Sequence, residues 1–209
     1  MMPDVRALIR RDLVPVLRSR EFRGSLPTLR RPVGDTIQVV NVQASSGNGP
    51  NWWAFYLNCS IYVPELDQLV NHHTLAKPRE ESCQLRERAE PSDPTARGRY
   101  EFTPEGDSEA TMAGAVADLS GMLDYLDRFV TVEDVVAELA QRWLASFPEV
   151  IAWYLSTDQI HSARAFATRV WERFGDEDRW PTLARLMDEA AALVGVAPGW
   201  RAESTRGSS

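Results

Sequence analysis

Near Ser108 the apolar residues of this chain change their period from two to 3.6, and that change divides the fold. Before it, β-branched and aromatic residues alternate with polar ones, as in half-buried strands. After it, Met112, Val116, Leu119, Met122, Leu123, Leu126 and Phe129 recur on one side of a helix. Strands first and helices afterwards, with short antiparallel connections, argue an α+β fold rather than a doubly wound α/β sheet. The expected architecture is an N-terminal helix, a mostly antiparallel sheet of four to five strands, and a C-terminal helical part. Residues 1–107 hold the helix and sheet, residues 108–197 form a helical part packed on it as one compact domain, and residues 198–209 are a flexible tail.

The first helix is capped by Asp4 and carries Val5, Leu8, Ile9, Leu13, Val16 and Leu17 on one stripe. Pro15 lies off that stripe and is expected to kink or split the helix, because its ring removes a backbone bond. Phe22 plugs the helix end into the core. Thr28 to Val33, bracketed by Pro27 and Pro32, reads as an edge strand. Gly34-Asp35 turns the chain into a second strand, Thr36 to Ala44. The run SSGNGPN is a loop, and the stretch NWWAFYLNCSIYVPEL (Asn51 to Leu66) reads as an unusually long strand. Ser82 to Arg88 and Arg99 to Thr103, separated by the Pro-rich PSDPTARG, complete the sheet. Beyond the first long helix, Thr131 with Asp134 has the pattern of a capping box, ahead of Val135, Val136, Leu139, Trp143 and Leu144. Pro148 ends that helix and a short apolar one follows. Asp158 caps a helix that stops at Gly175, and Pro181 opens a last helix that stops at Gly195.

The net charge of -7 over 209 residues argues against general nucleic-acid binding, which needs a surplus of Lys and Arg. The N-terminus lacks the uninterrupted apolar core of a signal peptide, and no stretch reaches the roughly 20 apolar residues of a membrane span. Cys59 and Cys83 read as buried free thiols, which places the chain in a reducing bacterial cytoplasm.

Several pieces then fall in a recognisable order. Phe22 and Gly24 precede Leu29-Arg30-Arg31, followed by Val39 to Ser45, Phe55 to Ile61, and Cys83 with Arg86 and Arg88. The series resembles the bacterial family of domains of unknown function numbered 4304. The resemblance covers about the first two thirds of the chain. It supports the fold and supplies no catalytic residues.

Strict alternation sorts the strands into two rows. Trp53, Phe55, Leu57, Cys59, Ile61 and Val63 form a wholly apolar row, matched by Val40, Val42 and Ala44, and by Cys83 and Leu85. The opposite row gathers Asn41, Gln43, Trp52, Tyr56, Asn58, Tyr62, Gln84 and Arg86. Solvent alone can meet such a row, or the C-terminal helices can seat on it. Its mix of rigid amphipathic rings, amides and a guanidinium is also what recognition surfaces use, so these eight residues are the candidate binding face.

Signatures of chemistry are missing. His72 and His73 are adjacent and point apart, and no metal-ligand spacing occurs. Phosphate-loop, dinucleotide and nucleophile-elbow motifs are also lacking. No catalytic residue, metal or cofactor is therefore expected. The leading reading is a non-enzymatic module that binds another protein, with no membrane or general nucleic-acid partner. An enzyme acting on a small or phosphorylated substrate through Arg30, Arg86 and the carboxylates of Glu80 and Glu81 is the rival. An oligomerisation module using the last helices is the third reading.

Overall fold

The computed structural model describes residues 1–91, 98–142 and 146–201. These form two compact units. The first comprises Met1–Tyr62 with Ala76–Val130, and the second Val63–Leu75 with the chain from Thr131 onward. The division by contacts thus falls elsewhere than residue 107, and it leaves the first long helix with the sheet.

The first unit holds helix α1 (Val5–Ser19), strands β1 (Arg23–Ser25), β2 (Thr28–Val33), β3 (Thr36–Ala44) and β4 (Trp53–Tyr62), a 3-10 turn (Glu80–Ser82), β5 (Leu85–Arg88), β6 (Tyr100–Phe102) and helix α3 (Ser108–Leu126). All six strands pair antiparallel, in the order β1-β2-β3-β4-β5, with β6 also on β4. The fold is α+β as expected, with one strand more than the sequence suggested.

Asp4 caps α1 by accepting from the Ala7 amide at 3.1 Å. Pro15 does not split the helix, which runs on to Ser19. Pro15 and Arg11, whose carbonyl loses its partner, both lie on the exposed side, where water can serve that oxygen. β2 is not an edge strand, because the three residues of β1 pair with Thr28 to Arg30. Pro32 lies beyond that pairing, so its missing N–H costs no ladder bond on the open side.

Cross-strand register assigns the two faces. Val40 lies opposite Cys59, Val42 opposite Leu57 and Ala44 opposite Phe55, while β6 adds Tyr100 and Phe102. This apolar face meets the buried stripes of α1 (Val5, Ile9, Leu13, Leu17) and α3 (Met112, Ala115, Leu119, Leu123, Leu126). Phe22, Phe55, Leu57, Cys59 and Ile61 are fully buried there. Polar residues also share this face. Gln38 lies opposite Ile61, donates to the Leu126 carbonyl at 2.9 Å and accepts from Arg31 at 2.6 Å. Arg31 also bonds Asp127 and stacks 4.9 Å over Phe22, so its charge is carried into the core edge with every contact filled. Tyr100 donates to Asp118 at 3.0 Å, and its burial beside that carboxylate pushes the phenol well above its ordinary pKa.

The second unit holds α2 (Pro64–Asn71), α4 (Val132–Leu139), α5 (Phe147–Ser156), α6 (Ile160–Phe174) and α7 (Trp180–Leu193). Pro64 opens α2, so the long stretch is strand only as far as Tyr62. α2 packs on α5 and α7. The capping box of Thr131 and Asp134 is present in both directions, at 2.9 and 3.2 Å. Pro148 lies in the first turn of α5, which it opens, and Trp143 and Leu144 lie outside the described residues. Asp158 does not cap α6: Gln159 holds the cap position, and Asp158 sits in the left-handed region at φ 59°. Gly175 does end α6, but with ordinary helical φ. A Cβ there would fall 2.6 Å from the Trp171 carbonyl oxygen, which makes glycine a matter of space. Gly195, at φ 76°, closes α7 as expected. Residues 92–97 of the Pro-rich run and the tail from residue 202 lie outside the described residues. Both cysteines are buried and unpaired.

Candidate functional site

The second face of the sheet is built by the same register. Tyr56 lies opposite Gln43 and Asn58 opposite Asn41, while Arg88 and Arg86 face Asn58 and Ser60 from β5. Its two halves differ in burial. Towards Tyr62 the face is closed: Tyr62, Ser60 and Val39 are fully buried, and Asn58 and Gln84 nearly so. Within the first unit, the 3-10 turn packs on β3 and β4 here. Arg30 donates to the Pro78 carbonyl at 2.5 Å, and Arg86 is held by Glu80 at 2.7 Å. The Ser60 hydroxyl is enclosed with no hydrogen-bond partner among the described residues.

The other half is open. Gln43 and Arg88 are exposed, and Asn41, Trp52, Tyr56 and Arg99 are half-buried. Trp52 is placed by the β3–β4 loop, where Asn48 accepts from the Ala54 amide at 2.7 Å and donates to the Ala54 carbonyl at 3.0 Å. That double bond closes the loop locally and fixes where β4 begins. The Arg99 guanidinium lies 4.9 Å over the Trp52 ring, beside Tyr56. Arg88 lies 4.4 Å over the other ring, that of Tyr56. Arg88 donates to Asn58 at 3.0 Å, and Asn58 donates to Gln43 at 2.9 Å. Two rings and two guanidinium groups thus alternate along the row, with an amide pair at its end.

Charge is balanced on one side only. Glu101 accepts from Arg99 at 2.6 Å and from the Trp52 indole at 3.2 Å. The hydrogen bond that Arg99 donates to Glu101, with Tyr56 beside it, raises the Arg99 pKa further, so that group is cationic at every working pH. Arg88 bonds a neutral amide, which leaves its charge available at the surface. Each exposed cation–π contact contributes about 0.5–1 kcal/mol, and together they hold flexible Arg side chains in one geometry before any partner arrives.

Of the eight residues expected on this face, the structure brings Asn41, Gln43, Trp52, Tyr56 and Asn58 together. Tyr62, Gln84 and Asn58 are buried, and a covered side chain cannot meet a partner; Asn58 instead positions Arg88 and Gln43 through its hydrogen bonds. Arg86 is turned to Glu80 at the closed half. The 3-10 turn delays β5 to Leu85, so Cys83 precedes the strand, and its thiol donates to the Arg79 carbonyl at 3.3 Å. Burial, then the nearby Glu80, pushes the Cys83 thiol well above its ordinary pKa, and burial pushes Cys59 up to about 12. Both thiols are protonated at neutral pH and neither is an activated nucleophile.

Sequence reasoning missed Arg88, Arg99 and Glu101 as members of the site. Arg88 stood two residues beyond Arg86 on the same row, and the alternation alone could have selected it. Glu101 lies on the short β6 and Arg99 just before it, and the pairing of that strand with β4 is not encoded in local pattern. Among the described residues no group of three or more His, Cys, Asp or Glu is placed to hold a metal ion. None of the described helices is long and apolar enough to cross a membrane.

The family model described as a domain of unknown function, DUF4304, matches residues 13–126. No curated protein and no solved structure matches the chain.

Proposed function

The chain belongs to the DUF4304 family, and on that premise we propose that it is a non-enzymatic bacterial cytoplasmic module that binds another protein through the open half of its second sheet face. The observation that carries this reading is the row Trp52–Arg99–Tyr56–Arg88, ordered by stacking and hydrogen bonds on a rigid sheet while still reachable from solvent. Tyr, Trp and Arg are the residue types that dominate binding energy at protein interfaces, because they bury large area at small entropic cost. With Arg88 free of an acidic counterpart in its hydrogen bond to Asn58, the face suits a partner that presents a carboxylate beside an apolar surface.

An enzymatic reading through Arg30, Arg86 and the glutamates draws less support. Arg30 is spent on the Pro78 carbonyl and Arg86 on Glu80, and the neighbouring thiol is protonated. Oligomerisation through the last helices also draws less, since α6 and α7 turn Phe166, Val170, Leu183 and Met187 inward.

The test is photo-crosslinking in the source organism, with the crosslinker at exposed Gln43 or, as a control, at exposed Glu133 of α4. A defined protein should cross-link from Gln43 and not from Glu133, and Tyr56→Ala combined with Arg88→Ala should abolish it while leaving the melting temperature within a few degrees. Cross-linking that survives the double variant, or appears equally at both positions, would refute the reading.

A further inference from the structure

On the opposite, apolar side of the sheet the first unit carries a groove of about 330 Å³. Its walls are Ile9 of α1, Val42 and Trp53 of the sheet, and Leu26 and Pro27 of the β1–β2 turn. Arg6 and Arg10 stand at the same groove. They are four residues apart on α1, so both lie on one side of the helix.

These two arginines differ from their neighbours. Arg11, the next in sequence, is held by Asp12 and Glu109 at 2.7 Å each. Arg18, Arg20 and Arg31 are likewise engaged. Arg6 and Arg10 are exposed and make no hydrogen bond or ion pair among the described residues. Two like charges at this spacing repel mildly, in a chain whose net charge of -7 supplies many carboxylates that could have neutralised them. A backbone donor lies at the same place. Val42 donates to the Pro27 carbonyl at 2.8 Å and Ser45 to Ala54 at 2.9 Å, so alternation points the Ala44 amide to the β2 side, one step beyond the last pairing there. Ala44 also lines the groove.

We infer that this groove binds a small organic acid, its carboxylate between Arg6 and Arg10 and its apolar body against Trp53 and Val42. The size is at the lower end of the range of about 300–1,000 Å³ found for ligand sites, which suits a short apolar body rather than a long lipid chain. Charge complementarity selects the anion, and the apolar walls select what it is attached to. The register puts Val42, Ala44 and Trp53 on the opposite face from Tyr56 and Arg88, so this site is independent of the proposed protein-binding row.

The probe is octanoate, followed by calorimetry and by the indole NMR signals, with Trp53→Phe used to assign the Trp53 signal. Octanoate should saturate one site and shift the Trp53 indole. Arg6→Gln with Arg10→Gln should weaken it about fivefold, the sum of two exposed charge contacts, while neutral octanol binds both forms alike. Ala44→Trp, filling the groove from an exposed position, should abolish binding of both molecules. Absence of saturable octanoate binding, a loss below about twofold in the double variant, or equal losses for octanol would overturn the inference. So would an apolar peptide with a free C-terminus binding more tightly than octanoate, because the carboxylate would then come from a polypeptide.

Discussion

Gly34 shows how much one position can decide. It sits at the β2–β3 turn with φ 54°, a region that side chains rarely adopt, and a Cβ built there would overlap the Val130 carbonyl and lie 2.7 Å from its Cγ1. Asp35 donates to that same carbonyl at 3.0 Å, so the backbone cannot retreat without losing a bond. Gly34→Ala is expected to cost more than about 2 kcal/mol, since conformational strain and overlap add. Urea unfolding measures it, and a cost under about 0.5 kcal/mol, the range of an ordinary surface change, would show the turn to be adaptable. At this scale the sequence read well wherever chemistry is local. Asp4, Thr131 with Asp134, and Gly195 were all legible as caps or stops, because a capping side chain needs only its own next few residues. Asp158 misled for a related reason: a good capping residue stood one position early, and the chain used it in a left-handed turn instead.

Elements followed pattern where one face dominates. β3 runs from Thr36 to Ala44 as its β-branched residues foretold, and α3 buries Met112, Leu119, Leu123 and Leu126 of the expected stripe. Short elements did not announce themselves. β1 has three exposed residues and owes its existence to its partner β2. Contacts between elements also set the behaviour of a titrating group. Glu149, in the first turn of α5, has its pKa raised mainly by burial and further by Asp67 of α2, against the pull of its own amide. Its folded pKa lies above its unfolded one, so the unfolded chain loses this proton first as pH rises. Stability from this site is full below the unfolded value near 4.5 and is lost as pH climbs through the folded value. Glu149→Gln should therefore be more stable than the native chain at pH 7.5, with the gap closing towards pH 4. Urea midpoints across that range are the measurement, and a gap that widens on acidification would contradict the assignment.

At the scale of the whole molecule the chain passes between its two units three times, after Tyr62, Leu75 and Val130. The family match ends at 126, where α3 ends, and so spans most of the sheet unit together with inserted α2, but none of α4 to α7. α2 buries Leu66 and packs on α5 and α7, elements far away in sequence. A fragment of residues 1–130 should consequently expose Leu66 and bind a hydrophobic dye. The same fragment with residues 63–75 replaced by a Gly/Ser linker should give a dispersed amide spectrum and one cooperative melt. A linker fragment that fails to melt cooperatively would show that the sheet unit does not fold alone.

By itself the sequence determined the class of the fold, the strand rows and most helix ends, because periodicity and capping act over a few residues. The long aromatic stretch was read correctly as having one core row, with Phe55, Leu57, Cys59 and Ile61 fully buried. What its other row meets was decided only in three dimensions. The same alternation holds Tyr56 half-open and Tyr62 at 0% exposure. Coverage depends on where the rest of the chain lies in space, and residues 76–84 reach this face through a turn that no period encodes. The bare arginines at the groove were equally invisible, since an unpaired charge is defined by the absence of neighbours that only tertiary structure can bring near.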